Sequence, residues 1–444
     1  MTDLSKKVFG LVSLGCDKNR VDAEKLLAEI SARGCAITND ASKAQVLIIN
    51  TCAFLNDARK ESIETILEFS ALKSENLEKI VVTGCLPQKY SKETFPALTE
   101  GDVFLGTRDY DKFFAALEKS YDDGRVNFVG LGENKPVTTR VITTPAHYAY
   151  LKIADGCNNH CTYCLIPKIR GNYESYPMES LLREAEELGE VAELIIVAQD
   201  VTRYGLDLYG QKKLKEILQK LTTLVNINSV RLLYCYPDMI DDELIAEIRD
   251  NPKIIKYLDI PLQHSEDGVL KLMNRPVGRE KYLNLIAKLR REIPEIAIRS
   301  TFIAGFPSET GEQFEGLKDL LLEARLDNCG FFAYSREPDT AAYKLKGQVP
   351  YAEKKRRVKE LYSLQQKISA EKLAERVGTA LRVLCDGIDY EKNCFVGRAY
   401  FQAPEIDGKV YFNADFAEQG KYYEVIIEKS DAYDLYGRTG DYSL

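Results

Sequence analysis

The chain of 444 residues is 45% hydrophobic and 29% charged and carries a formal net charge of −8. It is too long for one hydrophobic core, so we predict two to four domains, and the acidic balance argues against a protein whose main role is to coat nucleic acid. No apolar run reaches the roughly 18 residues of a membrane span and the first twenty residues do not resemble a signal peptide, so we predict a cytoplasmic protein without a membrane partner.

The first 110 residues alternate strand-like and helix-like segments, which is typical of βαβ units and a parallel sheet. The apolar runs predict four strands, and amphipathic periodicity predicts helices over 19–34 and 57–73. The predicted strands are 8–15, 44–50, 78–84 and 101–106.

A cysteine follows each of the first three predicted strands: Cys16, Cys52 and Cys85. The carboxyl ends of parallel strands share one edge of a sheet, where ligands bind, so these distant residues can meet there. Three thiols at equivalent strand ends favour a metal cluster. The alternative is three small buried residues in turns, because free cysteine is often buried.

A segment rich in threonine and proline, 135–148, is predicted to end the first domain. Six further strand-like runs then alternate with helices between Tyr148 and about Ser335. Six βα units fit a barrel or partial barrel, whose chemistry lies at the carboxyl ends of the strands.

The last part of the chain changes character twice. Residues 351–376 predict a long charged helix whose basic run, 354–357, is interpreted as a solvated face rather than a nucleic-acid contact. Residues 377–444 contain short strand-like runs with turn signals between them, which predicts a small antiparallel β-barrel.

The densest cluster of metal-ligand residue types is the decapeptide 155–164, with Cys157, Cys161, Cys164 and His160. Structural zinc sites need four ligands, commonly as two separated pairs, whereas this loop offers three thiolates. A cubane iron–sulfur cluster held by three cysteines keeps one iron open for catalysis. His160 adjoins Cys161, so its ring and the thiolate tend to point apart, which disfavours the histidine as a fourth ligand.

This spacing, placed after the first strand of six βα units, resembles the radical S-adenosylmethionine superfamily. The resemblance implies a 4Fe–4S cluster on the three cysteines, S-adenosylmethionine on the open iron, and cleavage to a 5′-deoxyadenosyl radical. Tyr163 matches the aromatic residue before the third cysteine. By the same resemblance, Gly305 lies near the adenosyl group and Gln199, with Asp200, near the methionine part. The alternatives are an ordinary turn glycine and a cap on the next segment.

The whole chain resembles the methylthiotransferase family, through "SLGCDKNRVDAE", "INTCAFLNDARKES" and "VTGCLPQ". The resemblance implies a second 4Fe–4S cluster on Cys16, Cys52 and Cys85 and transfer of a methylthio group to an unactivated carbon. It implies an N-terminal domain at 1–125, a radical barrel with trailing helix at 143–376, and a substrate-recognition β domain of TRAM type at 377–444.

Segments such as "VAQDVTRYG" and "YSREPDTAAY" resemble the family branch that modifies an aspartate β-carbon in small-subunit ribosomal protein twelve. Residues 377–444 hold seven basic and twelve acidic residues, a balance of −5. A domain that grips transfer RNA should be basic, whereas an acidic one suits a basic ribosomal protein, so we predict no direct binding of transfer RNA. The acidic charge could also serve solubility alone.

Two alternatives stay open at this stage. One is a methylthiotransferase acting on an adenosine of transfer RNA, and the other is a non-catalytic RNA-binding protein with structural zinc. The radical reading also requires an electron donor such as flavodoxin or ferredoxin. His264 follows the fourth strand of the barrel, where it is either a cofactor contact or a satisfied loop histidine.

Overall fold

The computed structural model describes residues 3–130, 132–133 and 139–440. Residues 135–138 of the predicted boundary segment and 441–444 of the predicted C-terminal domain lie outside the described residues. None of the helices in these ranges is long and apolar enough to cross a membrane. The chain forms two compact units. The first holds Met1–Thr143, Tyr150–Asn159 and Cys164–Leu188, and the second holds Thr144–Ala149, His160–Tyr163 and Gly189–Leu444.

A six-stranded parallel sheet forms the centre of the first unit, with the spatial order β2-β1-β3-β4-β5-β6. The strands are β1 (Val8–Ser13), β2 (Ala36–Thr38), β3 (Val46–Thr51), β4 (Lys79–Gly84), β5 (Val103–Phe104) and β6 (Val126–Asn127). The helices between them are α1 (Asp17–Ala32), α2 (Asn56–Ser70), α3 (Cys85–Ala97) and α4 (Phe113–Asp123). The four predicted strands are present. The edge strands β2 and β6 escape prediction because they have only three and two residues.

Strand β3 explains why this sheet is covered on both faces. All six of its residues are buried, and consecutive side chains point to opposite sides. Ile48 joins a core with Phe9 and Leu117, while Ile49 joins a second core with Ile66. A strand buried on both faces is the expected arrangement of a parallel sheet.

The first unit also contains the short segments that flank the cysteine triplet. Strand β7 (Tyr148–Lys152) begins in the second unit and belongs to the first unit from Tyr150 onwards. It leads into β8 (Ala154–Asp155), which pairs antiparallel with β9 (Glu174–Ser175). Helix α5 (Ile166–Arg170) lies between β8 and β9, and α6 (Met178–Glu187) follows.

The second unit is built on an open sheet with the order β14-β13-β12-β11-β10-β7, in which β10 to β14 are parallel neighbours. Its strands are β10 (Glu193–Val197), β11 (Val230–Leu232), β12 (Ile254–Asp259), β13 (Ala297–Ala304) and β14 (Asn328–Ala333). Its helices are α7 (Leu206–Tyr209), α8 (Leu214–Thr223), α9 (Asp242–Asp250), α10 (Asp267–Leu272), α11 (Arg279–Glu292), α12 (Gly311–Ala324) and α13 (Tyr351–Ala374). The predicted partial barrel of six strands is confirmed.

Two of the four basic residues in the run 354–357 of α13 are exposed and two are buried. Lys355 and Arg356 are exposed, as predicted. Lys354 is buried and donates to the Tyr334 carbonyl at 3.0 Å, and Arg357 is buried in a salt bridge. The prediction of a solvated face is therefore wrong for Lys354 and Arg357. Their spacing of three residues places both on the side of α13 that packs on the unit.

A closed five-stranded barrel forms the C-terminal part, with the order β15-β16-β17-β19-β18. Its strands are β15 (Ala380–Asp389), β16 (Cys394–Arg398), β17 (Val410–Asn413), β18 (Tyr422–Ser430) and β19 (Leu435–Thr439). The predicted small barrel is confirmed, with one difference. Four of the five strand pairs are antiparallel, and β17 pairs with β19 in parallel.

Buried ion pairs attach this barrel to the amino-terminal edge of the open sheet. Glu193, the first residue of β10, accepts from Arg231 at 2.5 Å and from Arg398 of the barrel at 2.6 Å. Asp407 of the barrel accepts from the Tyr257 hydroxyl at 2.7 Å. These contacts lie at the opposite edge of the sheet from the predicted cofactor residues.

Candidate functional site

Cys16, Cys52 and Cys85 follow the ends of β1, β3 and β4, which are neighbours in the sheet. All three therefore lie at the carboxyl-terminal edge of the sheet in the first unit. Burial raises the pKa of the Cys52 thiol, and the charge of Cys16 raises it further. Burial raises the pKa of Cys85 to about 12, with smaller contributions from Cys52 and Cys16.

The backbone before Cys85 requires glycine. Gly84 has φ +96°, and a Cβ on it would stand 2.5 Å from the Thr51 carbonyl oxygen. Asn19 completes this corner, because its Nδ2 donates to the same Thr51 oxygen at 3.2 Å and lies 3.8 Å from the Cys85 sulfur. The chain turns directly from β4 into α3 here, and this turn brings the thiol of Cys85 to the sheet edge.

A buried network of four charges lies beside these cysteines, within the first unit. Arg170 binds Asp22 at 2.8 Å and Asp155 at 3.0 Å. Lys152 forms salt bridges to the same two carboxylates, at 3.3 Å for Asp155. Arg170 also donates to the Asn19 side-chain oxygen, so one amide separates its guanidinium from the Cys85 sulfur. Burial alone would raise the pKa of Asp155, but Arg170 and Lys152 hold it well below its usual range.

Such a network is poor evidence for stability, because desolvation offsets much of the attraction between buried charges. Its position gives it another significance. Asp155 lies two residues before Cys157, and Arg170 lies six residues after Cys164, so the network joins both ends of the triplet loop to α1. Sequence reasoning missed it, since no periodicity links Asp22 to partners 130 and 148 residues away.

Replacing Arg170 by methionine is expected to lower the free energy of unfolding of the metal-free protein by about 3–5 kcal/mol, because two carboxylates stay buried with one cation. Urea denaturation measures this change. Arg183→Met is the control, since Arg183 is an exposed residue of α6 in the same unit. A loss no greater than that of the control would contradict the role of the network.

Each of the three triplet sulfurs has a hydrogen-bond partner. In the first unit, Cys157 Sγ accepts from the Asn159 amide at 3.5 Å and Cys164 Sγ from the Ile166 amide at 3.4 Å. In the second unit, Cys161 Sγ lies 2.9 Å from the Tyr236 hydroxyl. Donors suit sulfurs that carry negative charge, so the triplet fits an iron–sulfur cluster. His160 is exposed.

Among the described residues, no three side chains of His, Cys, Asp or Glu surround a point suited to one metal ion.

The predicted cofactor residues of the second unit lie at the carboxyl edge of its sheet. Gln199 is two residues beyond β10, and Gly305 directly follows β13. The Tyr163 ring meets the Phe306 ring edge-on, with centroids 6.5 Å apart. Asp200 caps the next segment through the Thr202 amide at 3.1 Å, which is the alternative considered for it.

A buried carboxylate that sequence reasoning missed shapes the Gly305 turn. Glu309 accepts from the Gly305 amide at 2.6 Å and the Phe306 amide at 2.9 Å. Arg357 binds Glu309 at 2.7 Å, and the His264 Nε2 lies 3.6 Å away. Burial alone would raise the pKa of Glu309, but His264 and Arg357 hold it below its usual value. His264 thus lies beside the carboxylate that shapes the turn.

The sequence matches three protein families in succession. Residues 8–106 match a family described as uncharacterized protein family UPF0004, 151–321 the radical SAM superfamily, and 377–439 the TRAM domain.

Relatives match over nearly the whole length. The ribosomal protein uS12 methylthiotransferase RimO of Lachnoclostridium phytofermentans is 45% identical over 97% of this chain and 99% of that protein. The protein of the same name from Clostridium tetani is 44% identical over 99% of this chain and all of that protein.

Solved structures share the fold. The radical S-adenosylmethionine methyltransferase TsrM from Kitasatospora setae, with cobalamin and a [4Fe-4S] cluster bound, superposes with a TM-score of 0.57 at 15% identity, over 86% of this chain and 81% of that one. The cobalamin-dependent radical enzyme OxsB gives a TM-score of 0.51 at 11% identity, over 82% of this chain and 57% of that one.

Proposed function

Because the chain belongs to the RimO family of ribosomal protein uS12 methylthiotransferases, we propose that it adds a methylthio group to the β-carbon of an aspartate in that ribosomal protein. The chain is a transferase that uses S-adenosylmethionine and an iron–sulfur cluster. This reading is favoured over a transfer-RNA methylthiotransferase and over a zinc-containing RNA-binding protein. The observation that carries this proposal is the 44–45% sequence identity to these relatives over nearly the whole chain. It is joined by the two predicted sets of three cysteines, one at the edge of the N-terminal sheet and one in the loop 157–164.

Two 4Fe–4S clusters are part of the proposal. Cys157, Cys161 and Cys164 would hold one, and Cys16, Cys52 and Cys85 would hold the other. When bound, the first group supplies the electron that cleaves S-adenosylmethionine, and the second supplies an open iron for the sulfur that is transferred. The hydrogen bonds of the triplet sulfurs and the shared sheet edge of the other three cysteines support this assignment.

The remaining residues of the second unit would bind the cofactor and exclude water. Gly305 has φ +75°, and a Cβ on it would clash with the Lys354 side chain, so this turn requires glycine, and Glu309 fixes the turn. Tyr163 packs on a buried apolar cluster that includes Met273 and Phe306. This apolar cluster would exclude water beside the Tyr163 ring. Gln199 would contact the methionine part of S-adenosylmethionine.

The net charge of the C-terminal barrel is consistent with a basic protein partner. Three of its charged residues are neutralised in salt bridges at the junction with the open sheet: Asp386, Arg398 and Asp407. Without them residues 377–444 hold six basic and ten acidic residues, a balance of −4. A negative surface attracts a basic ribosomal protein and repels transfer RNA. An electron donor such as flavodoxin or ferredoxin would complete the system.

The proposal is tested by anaerobic reconstitution with a peptide that carries the target aspartate of uS12. We expect the product mass to rise by one methylthio group in place of hydrogen, and a peptide with alanine at that position to stay unmodified. In parallel, transfer RNA from a deletion strain should retain its methylthio groups. Loss of the group from the nucleoside alone, with uS12 unchanged, would contradict the substrate assignment.

A further inference from the structure

The sulfur of Cys161 has a side-chain environment that the family resemblance did not predict. Tyr236 lies beyond the end of β11 at the carboxyl edge of the sheet, and its hydroxyl is 2.9 Å from that sulfur. The side chain is 7% exposed, so solvent does not compete for the contact. By comparison, Cys157 and Cys164 each accept from a backbone amide at 3.4–3.5 Å.

Arg275 lies close to both partners of this contact. Its guanidinium carbon is 4.0 Å from the centroid of the Tyr236 ring, and its Nη1 is 3.9 Å from the Cys161 sulfur. The side chain is 5% exposed, and its Nη2 donates to the Pro261 carbonyl. A buried cation held in this way brings a fixed positive charge to the sulfur and to the aromatic ring that donates to it.

The chemical consequence depends on what Cys161 binds. A metal-bound thiolate has no proton, so Tyr236 must be the donor in the loaded protein. Hydrogen bonds and positive charge at ligand sulfurs stabilise the more negative, reduced state of an iron–sulfur cluster. The electron that starts cleavage of S-adenosylmethionine must first be accepted by this cluster, so an easier reduction widens the choice of electron donors.

We propose that Tyr236 and Arg275 are positioning residues that raise the reduction potential of the cluster on Cys157, Cys161 and Cys164. The inference rests on the proposed assignment of that cluster. Tyr236 orients its hydroxyl toward the Cys161 sulfur, and Arg275 fixes the ring and supplies the charge.

The test is a redox titration of the anaerobically loaded protein, followed by electron paramagnetic resonance. The relevant signal is the one that changes shape when S-adenosylmethionine is added. For Tyr236→Phe we expect about a tenfold less favourable reduction equilibrium, which is about 59 mV lower for one electron. Arg275→Met should lower the potential in the same direction, and Arg275→Lys should retain more of the wild-type value because it keeps the charge.

Tyr257→Phe is the matched control. Tyr257 is also buried in the second unit and also loses a hydrogen bond, but its partner is Asp407 rather than a sulfur. It should leave the potential unchanged. Wild-type potentials in both Tyr236→Phe and Arg275→Met, at full iron content, would overturn the inference, and so would an equal decrease in the control. Absence of any signal that responds to S-adenosylmethionine in the wild type would instead contradict the proposed function.

Discussion

Replacement of Cys157, Cys161 or Cys164 by serine is expected to abolish cleavage of S-adenosylmethionine. A cluster with three protein ligands cannot lose one and still present the same open iron. Changes to groups around metal ligands already cost 10–100-fold, so loss of a ligand should cost more than about 100-fold. Release of 5′-deoxyadenosine under reducing, anaerobic conditions measures the effect.

A cysteine outside both sets provides the control. Cys394 is half-buried at the start of β16, and Cys394→Ser should cleave S-adenosylmethionine at the wild-type rate. The assignment of the triplet would be contradicted if a triplet variant with normal folding retained cleavage, or if the control lost it as well.

Serine at Cys16, Cys52 or Cys85 is expected to separate the two halves of the reaction. These variants should still release 5′-deoxyadenosine, because the triplet is intact, while methylthiolated uS12 peptide falls by more than about 100-fold. The cysteines lie at the sheet edge of the first unit, next to the turns of β1, β3 and β4. Parallel measurement of 5′-deoxyadenosine and of peptide mass from one reaction checks the separation.

The control for this second set is Cys35→Ser, because Cys35 is a buried cysteine of the same unit in the core rather than at the sheet edge. Per folded molecule, this variant should release 5′-deoxyadenosine and form methylthiolated peptide at the wild-type rates. If cleavage and transfer fell together in all three edge variants, separate roles for the two cysteine sets would not hold.

The sequence predicts much of this architecture because its signals are local. The run 46–49 is apolar throughout and indicates a buried strand, and the cysteines are visible where such strands end. Strands of two or three residues carry too little pattern, so β2 and β6 are missed. The parallel pairing of β19 with β17 also escapes prediction, because it depends on closure of the barrel.

The parts of the site that escaped prediction depend on contacts between distant residues. Arg170 and Asp22 are 148 residues apart, and Tyr236 and Cys161 are 75 apart. Nothing in the local pattern of either pair indicates the contact. Arg357 illustrates the same limit, since a basic run on a charged helix gives no sign that one member turns inward to Glu309.

The most direct test of the account is the iron content and Mössbauer spectrum of the anaerobically purified protein. We expect about eight irons in two cubane clusters. Serine at all three triplet cysteines should leave about four irons, and serine at Cys16, Cys52 and Cys85 should leave the other four. A wild-type protein with a single cubane cluster, or with zinc in place of iron, would contradict the central claim.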